Sequence, residues 1–132
     1  MILNCEFEEL RALDRGAELV LEAYAARSPL LKLASQETLD QVENLRPLLN
    51  GSITVSDVSE IDSIQTAVRL ISRTLKRMLH EKVIEFHPAH EEAVGLYFDY
   101  AHVLTVEHRV DRMAAEMHAI ADLLNSSTTI GK

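Results

Sequence analysis

In the C-terminal half of this chain, two runs of residues carry apolar side chains at helical spacing. Only Phe86-His87-Pro88-Ala89-His90 separates them. In the first run, Ile61, Ile64, Ala67, Val68, Ile71, Leu75, Met78 and Leu79 recur every three or four positions, which puts them on one face of a helix rather than on one side of a strand. Asp57-Val58-Ser59-Glu60 has the form of a capping box at its start. This helix is expected to reach about Ile84. A second is expected to restart at His87-Pro88, since proline suits the first helical position, and to run to about Leu124. The pair reads as a long antiparallel helical hairpin.

Two further helices precede it. The first is expected from Asn4, a candidate N-cap, to about Arg27, with Leu3, Phe7, Leu10, Leu13, Ala17, Val20, Leu21 and Tyr24 facing inward. Gly16 inside it costs about 1 kcal/mol relative to Ala and suggests close packing on another helix. Ser28-Pro29 ends it. The second starts at Ser35, buries Leu39, Val42 and Leu45, and stops at Pro47 and Asn50-Gly51. Ser52-Ile53-Thr54-Val55 has strand preference but no visible partner strand, so it reads as an extended connector. The fold class expected is all-α: an antiparallel four-helix bundle with a long C-terminal helical hairpin. Residues 1–125 form a single helical-bundle domain, and residues 126–132 a flexible polar tail.

Composition agrees with that class. Four Gly and three Pro in 132 residues are too few for a turn-rich β protein, and with no Trp the core must be aliphatic. The net charge of −8 disfavours nonspecific binding to nucleic acid or to an anionic membrane surface. No apolar run approaches the ~18 residues needed to cross a bilayer. The single cysteine, Cys5, cannot form an internal disulfide, and the opening residues lack signal-peptide character. A cytoplasmic protein is expected, with no nucleic-acid or membrane partner.

The helix lengths carry a further implication. At 1.5 Å per residue the third helix spans ~40 Å and the fourth ~55 Å. The longer arm therefore overhangs, and the overhang is apolar: Val110, Met113, Met117, Ile120 and Leu124 continue a heptad-like pattern from Val103 and Val106, which is expected to leave an uncovered apolar segment from Val110 to Leu124. Such a stripe is a bundle seam or a dimer seam. The leading functional expectation is a small helical interaction or regulatory protein, acting as a homodimer and without catalysis of its own.

Several residue groups are candidates for chemistry. Arg69, Arg73 and Arg77 stand one turn apart with Lys76 beside them, and no acid interrupts the stretch from Arg69 to His80. Residues 1–56 and 87–132 each carry a formal −4, so this ridge is basic against an acidic background. A row of guanidinium groups suits carboxylate or phosphate recognition; the plainer reading is a solvated helix face.

In the fourth helix, Glu107 falls inside the apolar stripe, with Asp111 and His118 just off its centre. Carboxylates and imidazole projecting into a bundle can ligate a metal, which makes Glu107, Asp111 and His118 an alternative metal site. The plainer reading pairs Glu107 with a cation across a seam, and the inward Lys82 is a candidate. At the hairpin tip, His87-x-x-His90 among Glu81, Glu85, Glu91 and Glu92 has ligand-like spacing, but acids in a first helical turn need no ligand. Tyr97 or Phe98 is expected to line a small pocket or a contact patch.

Ala101-His102-Val103-Leu104 is similar, over four residues, to the Ala-His-x-Leu around the phosphorylated histidine of histidine phosphotransfer domains, which are also four-helix bundles. The resemblance implies phosphotransfer through His102. Thr105 and Val106 stand where that family has Lys and Gly, and the helical wheel makes His102 an ordinary surface residue. No Gly-rich phosphate loop, Gly-x-Ser-x-Gly elbow, Cys-x-x-Cys pair or His-Glu-x-x-His helix is present, so no cofactor is expected.

Overall fold

Glu6, not Asn4, begins the first helix. The structure, a computed structural model, describes residues 1–27, 34–85 and 91–130. In it Ile2–Leu3 forms a short strand, β1, before helix α1 (Phe7–Ala25) starts. The backbone N–H of Glu6 donates to Glu9 Oε1 at 2.8 Å, which occupies one of the donors a helix start leaves unpaired. Asn4 is engaged elsewhere, its side chain accepting from Ser52 Oγ.

The strand partner missing from the sequence reading is β1 itself. Ile53–Thr54 forms β2, antiparallel to β1, with Ile2 opposite Thr54 and Leu3 opposite Ile53. The ladder extends through Met1 and Val55, whose backbone groups exchange hydrogen bonds of 2.8 and 2.9 Å. Leu3, Ile53 and Val55 are buried. The expectation of an unpaired connector is therefore corrected. Pairing across more than fifty positions leaves no local signal in two two-residue strands.

The inward face of α1 follows the expected stripe and departs from it at Phe7 and Tyr24. Leu10, Ala12, Leu13, Gly16, Ala17 and Val20 are buried. Phe7 is 67% exposed, with the Arg11 guanidinium 5.6 Å from its ring centre, and Tyr24 is also exposed. Helix α2 (Gln36–Leu45) begins as expected, Ser35 Oγ accepting from the Thr38 N–H, and buries Leu39, Val42 and Leu45. A single 3-10 turn, Arg46–Leu48, accommodates Pro47.

Helix α3 (Val58–Glu85) is capped by Asp57, whose Oδ1 accepts from the Glu60 N–H at 2.8 Å. Glu60 reaches back one residue further than in a standard capping box, to the N–H of Ser56. Its stripe from Ile61 to Leu75 is buried, while Met78 and Leu79 are half-buried. Helix α4 (Glu91–Ile130) is the longest element and passes Leu124, where the sequence reading ends it. Ser28-Pro29, His87-Pro88 and the His87/His90 pair lie outside the described residues.

The described residues are mostly helical, so the class is all-α with a minimal two-stranded sheet. Among the described residues no helix is long and apolar enough to cross a membrane. Helices α3 and α4 share the most extensive contact, α1 lies against both, and α2 lies against α3. Gly16 marks the approach of α1 to α3: a Cβ there would stand 2.5 Å from Ile71 Cγ2.

The apolar stripe of α4 is largely covered within the chain. Val103, Val106 and Val110 are fully buried, Ala114 nearly so, and Met113 and Met117 pack half-buried on the core. The expected open segment from Val110 to Leu124 thus shrinks to its end, where Ile120 is 49%, Leu123 68% and Leu124 62% exposed.

Candidate functional site

The polar side chains of α4 that face α3 each meet a different partner. Glu107 Oε2 accepts from Ser72 Oγ at 3.3 Å. Asp111 Oδ1 accepts from Gln65 at 2.8 Å and from Arg69 at 3.3 Å. The His118 ring nitrogen lies 2.8 Å from Asp62 Oδ1. These residues sit at successive levels of the helix, so the structure does not converge Glu107, Asp111 and His118 on one point. Among the described residues no three His, Cys, Asp or Glu side chains are placed to hold a metal ion. Lys82 turns to Glu92, 2.8 Å away, rather than to Glu107.

The basic ridge divides into two parts. Arg69 is drawn to Asp111. Arg73, Lys76 and Arg77 are exposed and form no ion pair with any described residue. They border an open cleft of about 780 Å³ that Leu79, His80, Glu81 and Tyr100 also line among the described residues. Leu79 and Tyr100 are half-buried and bring the seam between α3 and α4 to the surface there. His102 is half-buried, and its backbone carbonyl lies 2.7 Å from Thr105 Oγ1. Tyr97 and Phe98 are each 57% exposed and meet edge to face, rings 5.8 Å apart.

The most completely satisfied polar group was not anticipated from the sequence. Glu9, 3% exposed, accepts from Arg109 Nη1 at 2.7 Å on one oxygen and from Arg109 Nη2 on the other. Thr105 Oγ1 is 2.8 Å from Oε2, and the Glu6 N–H completes the shell. Arg109 Nη1 also donates to the Asn4 carbonyl at 3.0 Å. Burial alone would raise the Glu9 pKa, but the hydrogen bonds and the guanidinium charge outweigh it and hold the carboxyl at about 2. Arg109 is raised in return, chiefly by its hydrogen bonds to Glu9. The neighbouring Cys5 thiol is pushed up by burial and by the Glu9 charge, which keeps it protonated and a poor nucleophile. A carboxylate held ionised and surrounded by donors is a poor base. This cluster ties α1, α4 and the residue after β1 together, and it is built to hold rather than to react.

A signal for it was present. Glu9 stands four residues before Leu13 and seven before Gly16, in phase with the buried stripe, and Arg109 lies between Val106 and Val110. Two opposite charges, each within an apolar pattern, are the trace such a pair leaves.

Comparison of the chain with known protein families, with curated proteins and with solved structures finds no match to any of them.

Proposed function

We propose that this protein is a helical interaction or regulatory protein, without catalysis of its own, that acts as a homodimer, and that its helices form an antiparallel four-helix bundle around the hairpin of α3 and α4. The order of the polar pairs supports this arrangement. Asp62 meets His118, Gln65 meets Asp111, Ser72 meets Glu107 and Lys82 meets Glu92, so positions rise along α3 as they fall along α4. Glu9 with Arg109 and Arg15 with Asp99 give α1 the same opposed direction to α4.

The observation that carries the dimer reading is the exposed apolar end of α4. His118 is level with Asp62, near the start of α3, so Ile120 and Leu123 lie about where α3 runs out. Large apolar side chains at such a helix end favour burial against a second copy, at roughly 25 cal/mol per Å² removed from water. Closed two-fold symmetry is the commonest way a single apolar patch buries itself.

Light scattering at micromolar concentration is the test. A dimer is expected for the unsubstituted chain. A monomer with unchanged helicity is expected for the double substitution Ile120→Asp, Leu123→Asp. A monomeric unsubstituted chain overturns the reading.

A further inference from the structure

The geometry points to the cleft beside Arg73, Lys76 and Arg77 as a binding site for an amphiphilic anion, a ligand with an apolar chain and one carboxylate or phosphate head. This does not rest on the dimer reading, since the cleft and the end of α4 are separate surfaces.

Three observations converge on it. First, these cations are unengaged. Elsewhere among the described residues Arg15 is taken up by Asp99, Arg46 by Asp14, Arg69 by Asp111 and Arg109 by Glu9, while Arg11, Arg27 and Arg112 stand singly without an ion pair, so it is the grouping of three such cations on one ridge that sets this surface apart. In a chain of net charge −8, carboxylates are plentiful, yet Arg73, Lys76 and Arg77 have none among the described residues. Second, Arg73 and Arg77 are one helical turn apart, about 6 Å, so both can reach one anionic head, and Arg in particular binds carboxylate and phosphate through a two-pronged fork. Third, the surface between them is not a wet charged face. Leu79 and Tyr100 offer an apolar wall, and the space of about 780 Å³ is in the range of small-molecule sites.

The pattern of a mostly apolar cleft with a few charged groups at its rim selects a ligand of the same pattern. Inorganic phosphate has no use for the wall, and an alcohol has none for the rim. Glu81 also borders the cleft and offsets part of the positive charge of the ridge. The second cleft near α1, about 480 Å³, lacks this combination. Arg15 and Asp14 there are already paired, and Arg11 lies over the Phe7 ring.

The test is calorimetric titration of the full chain with decanoate and decyl phosphate below their micelle concentrations, beside decanol and inorganic phosphate. At least one of the two amphiphilic anions is expected to bind, tenfold or more tightly than decanol and than inorganic phosphate. The double charge reversal Arg73→Glu, Arg77→Glu lies on an exposed face and should keep its helical circular dichroism while losing tenfold or more in affinity. Arg112→Glu, away from the cleft, should bind as the unsubstituted chain does. Equal binding of decanol, undiminished binding by the double reversal, or no binding by either anion overturns the proposal. A parallel titration with phosphatidylglycerol vesicles separates the source of the head group: binding to vesicles without binding to free decanoate or decyl phosphate assigns the ridge to a lipid surface and overturns the soluble-ligand site.

Discussion

Arg109 closes on the carboxylate of Glu9 with both arms of its guanidinium, across 100 positions of sequence. The carboxylate is buried, while the Arg109 side chain is 41% exposed. Removing the cation leaves a buried charge with fewer donors, which is the costly way to break such a pair. Arg109→Met is therefore expected to lower stability by about 2–3 kcal/mol, toward the low end for buried pairs because water can enter where the guanidinium stood. The Arg15–Asp99 pair joins the same two helices but is more open, so Arg15→Met should cost less than about 1 kcal/mol. Urea unfolding of both variants checks the contrast; equal losses would mean that Glu9 is not the anchor.

The same pair gives the fold an acid-sensitive component. The Glu9 carboxyl sits at about 2 in the folded protein against 4.5 ordinarily. A group with a depressed folded pKa binds protons more readily when unfolded. Its contribution is fully present above about pH 5 and is lost as pH falls through 4.5 toward 2. At roughly 1.4 kcal/mol per unit the gap corresponds to an upper figure of about 3.5 kcal/mol. Glu9→Gln should be less stable than the unsubstituted chain at pH 7, and the difference should shrink steadily between pH 5 and pH 2.5. Denaturation midpoints measured across that range decide it. A constant difference would show that Glu9 titrates as an exposed carboxyl does.

Gly16 is the position where α1 tolerates no side chain. The nearest obstacle to a Cβ is Ile71 Cγ2 at 2.5 Å, with Leu75 Cδ1 at 3.3 Å, and all three residues are buried. Gly16→Ala would gain about 1 kcal/mol in helix propensity, but the contact with Ile71 outweighs it. A net loss of about 1–2 kcal/mol is expected, and Gly16→Val should lose more. The pair Gly16→Ala with Ile71→Leu removes the obstructing Cγ2 while conserving side-chain volume and should recover part of the loss. A stabilised Gly16→Ala would place the helices further apart than described.

Much of this architecture can be read from periodicity, and the exceptions have physical reasons. The stripes of α2 and α3 are uninterrupted, and each helix opens on a residue whose side chain can only cap, Ser35 or Asp57. Those elements follow from local rules alone. The β1–β2 ladder does not, because Ile2–Leu3 is too short to show alternation and its partner lies beyond two helices. That one non-local pairing also goes with a start of α1 at Glu6 rather than Asn4, and Phe7, expected inside, stands exposed at the first helical position. The ridge of Arg73, Lys76 and Arg77 was visible as a charge run. Its division from Arg69 was not, since that depends on where Asp111 falls along α3. The Glu9–Arg109 pair shows the remaining limit: each residue was legible as a charge inside an apolar pattern, but their meeting depends on how α1 lies against α4.

Glu107 is a carboxylate set inside the apolar stripe of α4. It stands among Val103, Val106 and Val110, is half-buried, and among the described residues its hydrogen-bond partner is Ser72 at a long 3.3 Å. Among the described residues Glu107 forms no ion pair; Lys82 meets Glu92 and Arg69 meets Asp111. A weakly partnered, partly desolvated carboxylate is replaced favourably by an apolar side chain of similar size. Glu107→Leu is accordingly expected to raise stability by about 1 kcal/mol. Ser72, only 5% exposed, then loses its acceptor, but a helical serine can turn its hydroxyl to the carbonyl one turn back. The double variant Ser72→Ala, Glu107→Leu should be at least as stable as the single one. Thermal unfolding with and without added Zn²⁺ or Mn²⁺ gives the answer in one experiment. Lower stability for Glu107→Leu, or a metal-dependent rise in the melting temperature of the unsubstituted chain that the variant lacks, would show that the carboxylate is kept for a ligand.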